Sequence, residues 1–147
     1  MARNESVISV PVEQVFAVLA DPYRYHEWVV GAKEIRGVDG QWPEPGSVFH
    51  HSIGVGPVTL QDNTECLEVE EPHRIMLEAR ARPLGRARIE MRLTEVEGGT
   101  RVTMDEVAVS PPLMKLLNPV IDPLIHARNV EALRRLAIAA GASVSKG

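Results

Sequence analysis

Two ionisable side chains in the predicted strands have the chemistry to move protons, His51 and Glu106. His51 lies two residues after Phe49, and alternate residues of a strand share a face, so both point inward if either does. A neutral histidine in a pocket could act as a general base or bind a ligand carbonyl. Because the sequence supplies no partner for His51, it favours the simpler interpretation of a partly exposed strand histidine.

Glu106 shares a strand face with Val102 and Met104. If that face is inward, the carboxylate lies against apolar side chains, where burial penalises its charged form. If the strand twists or bulges near its end, the carboxylate reaches water instead. The sequence leaves both interpretations open, and His51 and Glu106 are the two candidate catalytic residues.

Other polar side chains could line a binding site. Thr64 shares one strand face with Asp62, and Asn63 shares the opposite face with Glu65. A slip of one residue in register exchanges the two faces, so the inward pair is undetermined.

Polar and aromatic residues on the predicted helices are further candidates. His126 and Asn129 lie on or beside the predicted buried stripe of the C-terminal helix. They could form hydrogen bonds with a ligand at the pocket mouth. The alternative is that they bond the sheet or water, as polar residues at helix ends do. Tyr25 and Trp28 could close a pocket as gates, although core packing is the commoner role of such a tryptophan. The full set predicted to contact a ligand is Trp28, Phe49, Ile53, Thr64, Leu77, Ala79, Ile89, Met91, Met104, His126, Asn129, Val130 and Leu133.

The elements that must position these residues follow from the spacing of apolar residues. Residues 5–10 predict a strand, and a helix follows whose apolar face is formed by Val12, Val15, Phe16 and Leu19. A second short helix is predicted from Tyr23 to Trp28. Up to about residue 109, Val- and Ile-rich runs between Gly- and Pro-containing turns predict strands. A long helix begins near residue 119 or 123 and ends near Ala140.

Two of the strands, residues 74–82 and 86–93, alternate cleanly between apolar and charged side chains. The short turn between them makes them an antiparallel hairpin. Glutamates alternate with the outer arginines and no aromatic residues interleave, so a solvated ladder of ion pairs is favoured over a nucleic-acid patch, while a protein partner on that face stays open. The arginines concerned are Arg80, Arg82, Arg86, Arg88 and Arg92.

Consecutive antiparallel strands with one apolar face need a cover, and only the C-terminal helix is long enough to supply it. We therefore predict an α+β fold in which a curved antiparallel sheet of about seven strands wraps around that helix, with two short helices after the first strand. Such a sheet leaves an internal pocket where packing is loosest. The predicted buried stripe of the helix is His126, Val130, Leu133, Ala137 and Ala140, beside a neighbouring stripe of Ile125, Asn129 and Leu136.

Composition disfavours several classes of function. The chain has 147 residues, which fits one domain over residues 1–147, and its net charge of −4 disfavours binding to nucleic acid or anionic lipid. Cys66 is the single cysteine, interpreted as a buried structural thiol, and no signal-peptide or membrane-span pattern occurs, which favours the cytoplasm. No metal-ligand spacing and no phosphate loop are found, so neither a metal nor a cofactor is expected.

Three stretches resemble the START-like, Bet v 1-type superfamily (SRPBCC), and within it the polyketide cyclase/dehydrase group. Residues 12–22 with Tyr25 and Trp28 are similar to its opening helix pair, residues 71–75 to a turn between middle strands, and residues 98–103 to the hairpin before the last strand. The resemblance implies a helix-grip fold with a hydrophobic cavity. Members include cyclases, lipid and hormone carriers, ubiquinone-binding proteins and chaperone regulators, which share no catalytic motif.

Three functions are therefore compatible with the sequence. The first, which we favour, is binding of an apolar polyketide-, quinone- or lipid-like molecule in the cavity. The second is a cofactor-free cyclase or dehydratase that uses acid and base groups of the cavity. The third is a protein-binding regulator. Ligand identity and oligomeric state, including a homodimer, are left open.

Overall fold

The computed structural model contains one curved antiparallel sheet of seven strands, in the order β1-β7-β6-β5-β4-β3-β2, and a long helix near the C-terminus. It describes residues 2–30, 32–55, 58–81, 85–110 and 118–141, without the side chains of residues 33, 34, 53–62, 81, 110 and 118–122. The strands are β1 (Ala2–Ile8), β2 (Ala32–Asp39), β3 (Val48–Val55), β4 (Val58–Glu70), β5 (Arg74–Ala81), β6 (Gly85–Val96) and β7 (Gly99–Ser110). The helices are α1 (Val12–Leu19), α2 (Tyr25–Trp28) and α3 (Asn118–Ala139). The predicted α+β fold is confirmed.

The short helices turn two aromatic side chains into the interior. α1 follows Pro11, whose extended backbone forms its N-cap, and it buries the apolar face that the sequence predicted. The Asp21 carboxylate then accepts a hydrogen bond of 3.0 Å from the Tyr23 N–H and caps a single 3-10 turn, Pro22–Arg24. This turn leads into α2 and leaves Tyr25 and Trp28 buried.

The face that α3 presents to the sheet differs from the prediction. The sequence predicted a buried stripe through His126 and Val130, but both side chains are exposed, Val130 by 55%. The two candidate stripes lie one residue apart on the helix surface, so the packing of β1, β7, α1 and α2 on α3 decides between them. The buried residues combine both stripes: Asn129 and Leu136 from the neighbouring one, Leu133 and Ala140 from the predicted one, and Ala132.

The inward face of the sheet carries the core, as the alternation in β5 and β6 predicted. Each buried residue there lies two positions from the next along its strand, which is the period of a strand. The largest of these side chains belong to one core cluster with Leu133 and Leu136 of α3. They are Ile75, Leu77, Ile89, Met91, Leu93, Val102 and Met104.

The outer face carries the predicted ladder of ion pairs. Arg80 lies 2.8 Å from Glu65 on β4, and Arg86 lies 2.7 Å from Glu78 on β5. Arg92 contacts Glu90 at 2.7 Å. The predicted Arg82 lies outside the described residues. Among the described residues, no helix has the length and hydrophobicity needed to cross a bilayer.

Candidate functional site

A buried polar chain joins α2, β3 and β4 on the inward side of the sheet. The His51 Nε2 lies 2.9 Å from the Thr64 Oγ1, and both residues are fully buried. Burial raises the pKa of the Tyr25 hydroxyl, and an interaction with Thr64 partly offsets that rise. Tyr25 is therefore protonated throughout the physiological pH range and can donate a hydrogen bond.

Aromatic rings surround this chain. The Tyr25 ring centroid lies 4.6 Å from that of Phe49, 5.4 Å from Trp28 and 5.4 Å from His51. Trp42 stacks edge-on against Phe49 at 4.5 Å and donates a hydrogen bond of 3.1 Å to the Leu19 carbonyl at the end of α1. These contacts hold the rings at fixed angles, so one wall of the site is aromatic and preorganised.

Glu106 lies on the inward face of β7, opposite Ile89 of β6 and Ala2 of β1. It is 3% exposed, so the inward interpretation is the one that the structure supports. Its carboxylate lies 3.4 Å from the guanidinium of Arg128 on α3, whose side chain is 43% exposed. Both residues lie within electrostatic range of Tyr25. A charged pair thus reaches from the solvent side of α3 into the interior.

One row of inward residues is built from small side chains. Register places Thr64 opposite Ala79, Ala79 opposite Ala87, and Ala87 opposite Ala108 across four neighbouring strands. We call Ala79, Ala87 and Ala108 the alanine row. The adjacent row carries the larger Leu77 and Ile89. Ala79 and Ala87 are half-buried although they lie on inner strands of the sheet.

Two asparagines are buried in this region of the fold, Asn4 on β1 and Asn129 on α3. Asn129 is fully buried, and its amide nitrogen and oxygen have no hydrogen-bond partner among the described residues. Asn4 is 4% exposed; its amide nitrogen donates a hydrogen bond of 3.2 Å to the His126 carbonyl, whereas its oxygen has no described partner. Buried amides are normally satisfied, so these three atoms are unusual.

A family model described as "Polyketide cyclase / dehydrase and lipid transport" matches residues 2–141. The chain belongs to this family. No curated protein sequence matches it significantly. The family description covers both catalysis and lipid transport, so membership by itself does not choose between these two functions.

Solved structures of the same architecture cover nearly the whole chain. A Rhodobacter sphaeroides protein is 21% identical with a TM-score of 0.71, covering 92% of this chain and 89% of its own. Protein NE0264 from Nitrosomonas europaea is 22% identical with a TM-score of 0.69, covering 93% and 91%. DynU16, described as a protein in the dynemicin biosynthetic locus, is 18% identical with a TM-score of 0.65, covering 93% and 45%. Identities this low show the fold alone.

Most of the residues predicted to contact a ligand lie on the inward side of the sheet or of α3. His126 and Val130 are the exceptions, since they are exposed, and the side chain of Ile53 lies outside the described residues. No hydrogen bond between His51 and Glu106 is described, although both approach Tyr25. The inward residues of the predicted set are Trp28, Phe49, Thr64, Leu77, Ala79, Ile89, Met91, Met104, Asn129 and Leu133.

Two polar residues of the site were not among the predicted set. Arg128 was assigned to the polar side of the helix, and its distance from Glu106 became visible only in the fold. Asn4 preceded the predicted start of the first strand, yet β1 begins at Ala2. The alternation of Ala2, Asn4 and Ile8 was a signal that could have identified it.

Cys66 is not part of the reactive chemistry. Its thiol is buried, lies 3.1 Å from the Pro43 carbonyl, and burial raises its pKa to about 11. This confirms the structural interpretation, because a reactive cysteine needs a thiolate. No cluster of three or more His, Cys, Asp or Glu side chains within the described ranges could hold a metal ion.

Proposed function

We propose that this protein binds an apolar small molecule between the sheet and α3, over the alanine row. The observation that carries the proposal is the change in side-chain size along the inward face. Large residues share one core cluster with Leu133 and Leu136, whereas the next inward residues described on β5, β6 and β7 beyond Leu77 and Ile89 are Ala79, Ala87 and Ala108. Partial exposure of Ala79 and Ala87 supports access of a ligand to this surface.

Polar groups at the edges of this row support the same proposal. Thr64 continues the alanine row toward His51 and Tyr25, while Glu106 lies beside Ala108 on β7. Small-molecule sites are mostly apolar and contain a few polar groups that orient the ligand. An apolar surface with a hydroxyl and imidazole at one end and an ion pair at the other fits that description.

Thermal denaturation with a panel of compounds tests this proposal. We expect one of four classes (aromatic polyketides, quinones, sterols or fatty acids) to raise the melting temperature by about 5 °C at a concentration near 100 Kd, because a ligand that binds only the folded state stabilises it. A polar, water-soluble analogue of each compound is the matched control. Failure of all four classes to shift the transition at saturation would contradict the proposal.

A second candidate function is cofactor-free acid–base catalysis on a polyketide-like substrate. The buried chain of Tyr25, Thr64 and His51 favours it, because a protonated phenol and an imidazole within one chain supply a donor and an acceptor. In a cyclisation, the imidazole would accept a proton from the carbon adjacent to a carbonyl, and the tyrosine hydroxyl would stabilise the developing enolate.

Conversion of a bound compound separates this candidate from a carrier. His51→Gln keeps a hydrogen-bonding group beside Thr64 but removes the basic nitrogen, so we expect turnover to fall by more than about a hundredfold with little change in affinity. Mass spectrometry of the recovered compound measures turnover. A compound that binds tightly and is always recovered unchanged from the unmodified protein identifies a carrier.

A further inference from the structure

Asn129 occupies a position where the fold would be better served by an apolar residue. It is the first buried residue described on the inward stripe of α3, which continues through Leu133, Leu136 and Ala140. Both polar atoms of its amide are buried without a described partner. An unpaired buried amide destabilises the folded state, whereas an apolar side chain of similar size would not.

Asn4 faces the same contact between β1 and α3. Its amide nitrogen bonds the His126 carbonyl, one turn of helix before Asn129, and its oxygen is also buried without a described partner. The NH2 group of Asn129 and the amide oxygens of Asn129 and Asn4 are therefore buried without a described partner. Register places Asn4 opposite Met104, one row of the sheet from Glu106 and two rows from the alanine row.

The charge of the surroundings selects the kind of group that fits. Glu106 is buried and Arg128 already pairs with it at 3.4 Å, so an anionic ligand would meet a carboxylate whose described cationic partner is already engaged. A cation would compete with Arg128 for the same carboxylate. A neutral hydroxyl group both donates and accepts, and it can satisfy an amide without changing the charge of the site.

We infer that Asn129, supported by Asn4, is a specificity-determining residue that binds a neutral hydroxyl group of the ligand. This inference rests on the proposed function, since it assigns the polar end of the molecule that the alanine row would hold. It adds a chemical class: an apolar body that carries an alcohol or phenol, in preference to a carboxylate or a fully apolar molecule. Asn129 orients the ligand and takes no part in proton transfer.

Two compounds of the same shape test the inference, 2-naphthol and 2-methylnaphthalene, with 2-naphthoate as the anionic comparison. The unmodified protein should bind 2-naphthol about tenfold more tightly than 2-methylnaphthalene, because only the hydroxyl satisfies the buried amide. Asn129→Leu should abolish this ratio and retain 2-methylnaphthalene binding. It should also raise the melting temperature of the ligand-free protein. Titration calorimetry and thermal denaturation measure these effects.

Asn63→Leu is the matched control, because Asn63 bonds Arg80 on the outer face of the sheet and should leave the ratio unchanged. Binding of both naphthalenes with the same ratio in the protein and in Asn129→Leu overturns this inference and leaves the proposed function standing. A lower melting temperature of ligand-free Asn129→Leu also overturns it, since the amide would then be structural. Absence of binding, here and across the larger panel, overturns both.

Discussion

Replacement of Gly99 by alanine should destabilise the protein by about 3–5 kcal/mol, the largest loss of stability we expect from any single methyl group. Gly99 begins β7 with φ +154°, and a Cβ atom built on it lies 2.9 Å from the carbonyl carbon of Ile8 and 3.0 Å from the Cα of Ser9. These are backbone atoms, which cannot rotate away as a side chain would. The end of β1 must therefore move away from β7.

Urea denaturation and the melting temperature measure this loss, which corresponds to roughly 10 °C for a protein of this size. Gly37→Ala is the matched control, because no heavy atom lies within 4 Å of its added methyl group. Gly98→Ala isolates the backbone strain, since Gly98 has φ +86° and equally open surroundings. Equal stability of Gly99→Ala and Gly37→Ala would show that the Ile8 backbone does not lie as close to Gly99 as described.

The same substitution links the sheet edge to the candidate site. β1 lies at the edge of the described sheet beside β7, and Ile8 pairs with Thr100 next to Gly99. β1 also carries Asn4, which bonds the α3 backbone at His126. Loss of pairing at this end of the strand should therefore loosen the contact between β1 and α3 before it affects the strands farther across the sheet.

Local periodicity was sufficient to predict that the strands and the long helix exist, although β1 begins at Ala2 and not at residue 5. The hairpin of β5 and β6 follows from apolar residues at every second position and a short turn, which only one pairing satisfies. α1 follows from its apolar spacing and from Asp21 after it. These features depend on neighbours in sequence, and the structure confirms them.

Features that depend on distant residues were not accessible from one sequence. The inward position of Glu106 is held by pairing with Ala2 on one side and Ile89 on the other, which only the assembled sheet defines. The stripe of α3 is set by packing, so Val130 was wrongly placed in the interior. The pairing of Arg128 with Glu106 depends on how α3 crosses β7. The sequence therefore assigned Arg128 to the polar side of the helix without identifying its partner.

The polar chain illustrates the same limit. His51 and Thr64 are 13 positions apart, and their side chains meet because β3 and β4 pair with Phe49 opposite Thr64. The sequence left the register of β4 undetermined, and the partner of His51 could not be named. Tyr25 joins them only because the 3-10 turn after Asp21 directs α2 inward.

Ala87→Leu should lower the affinity for an apolar ligand by at least about a hundredfold, the largest effect on binding that we expect. Ala87 is the middle of the alanine row, with Ala79 and Ala108 opposite it on the two adjacent strands. A leucine there would occupy the volume that we assign to the ligand. A bulky group in the centre of a site excludes the ligand sterically, whereas loss of one polar contact only weakens it.

The stability of ligand-free Ala87→Leu tests the same prediction without a ligand. If space lies over the alanine row, Ala87→Leu fills it and leaves the free energy of unfolding unchanged or raised by about 1 kcal/mol. If α3 and the sheet already meet there, the leucine overpacks the interior and destabilises it by about 1–3 kcal/mol. Ala127→Leu, on the exposed face of α3, is the matched control for the added apolar surface. Because only the closely packed state predicts a loss of stability in Ala87→Leu, denaturation of Ala87→Leu and Ala127→Leu decides whether the sheet and helix leave room for a ligand at all.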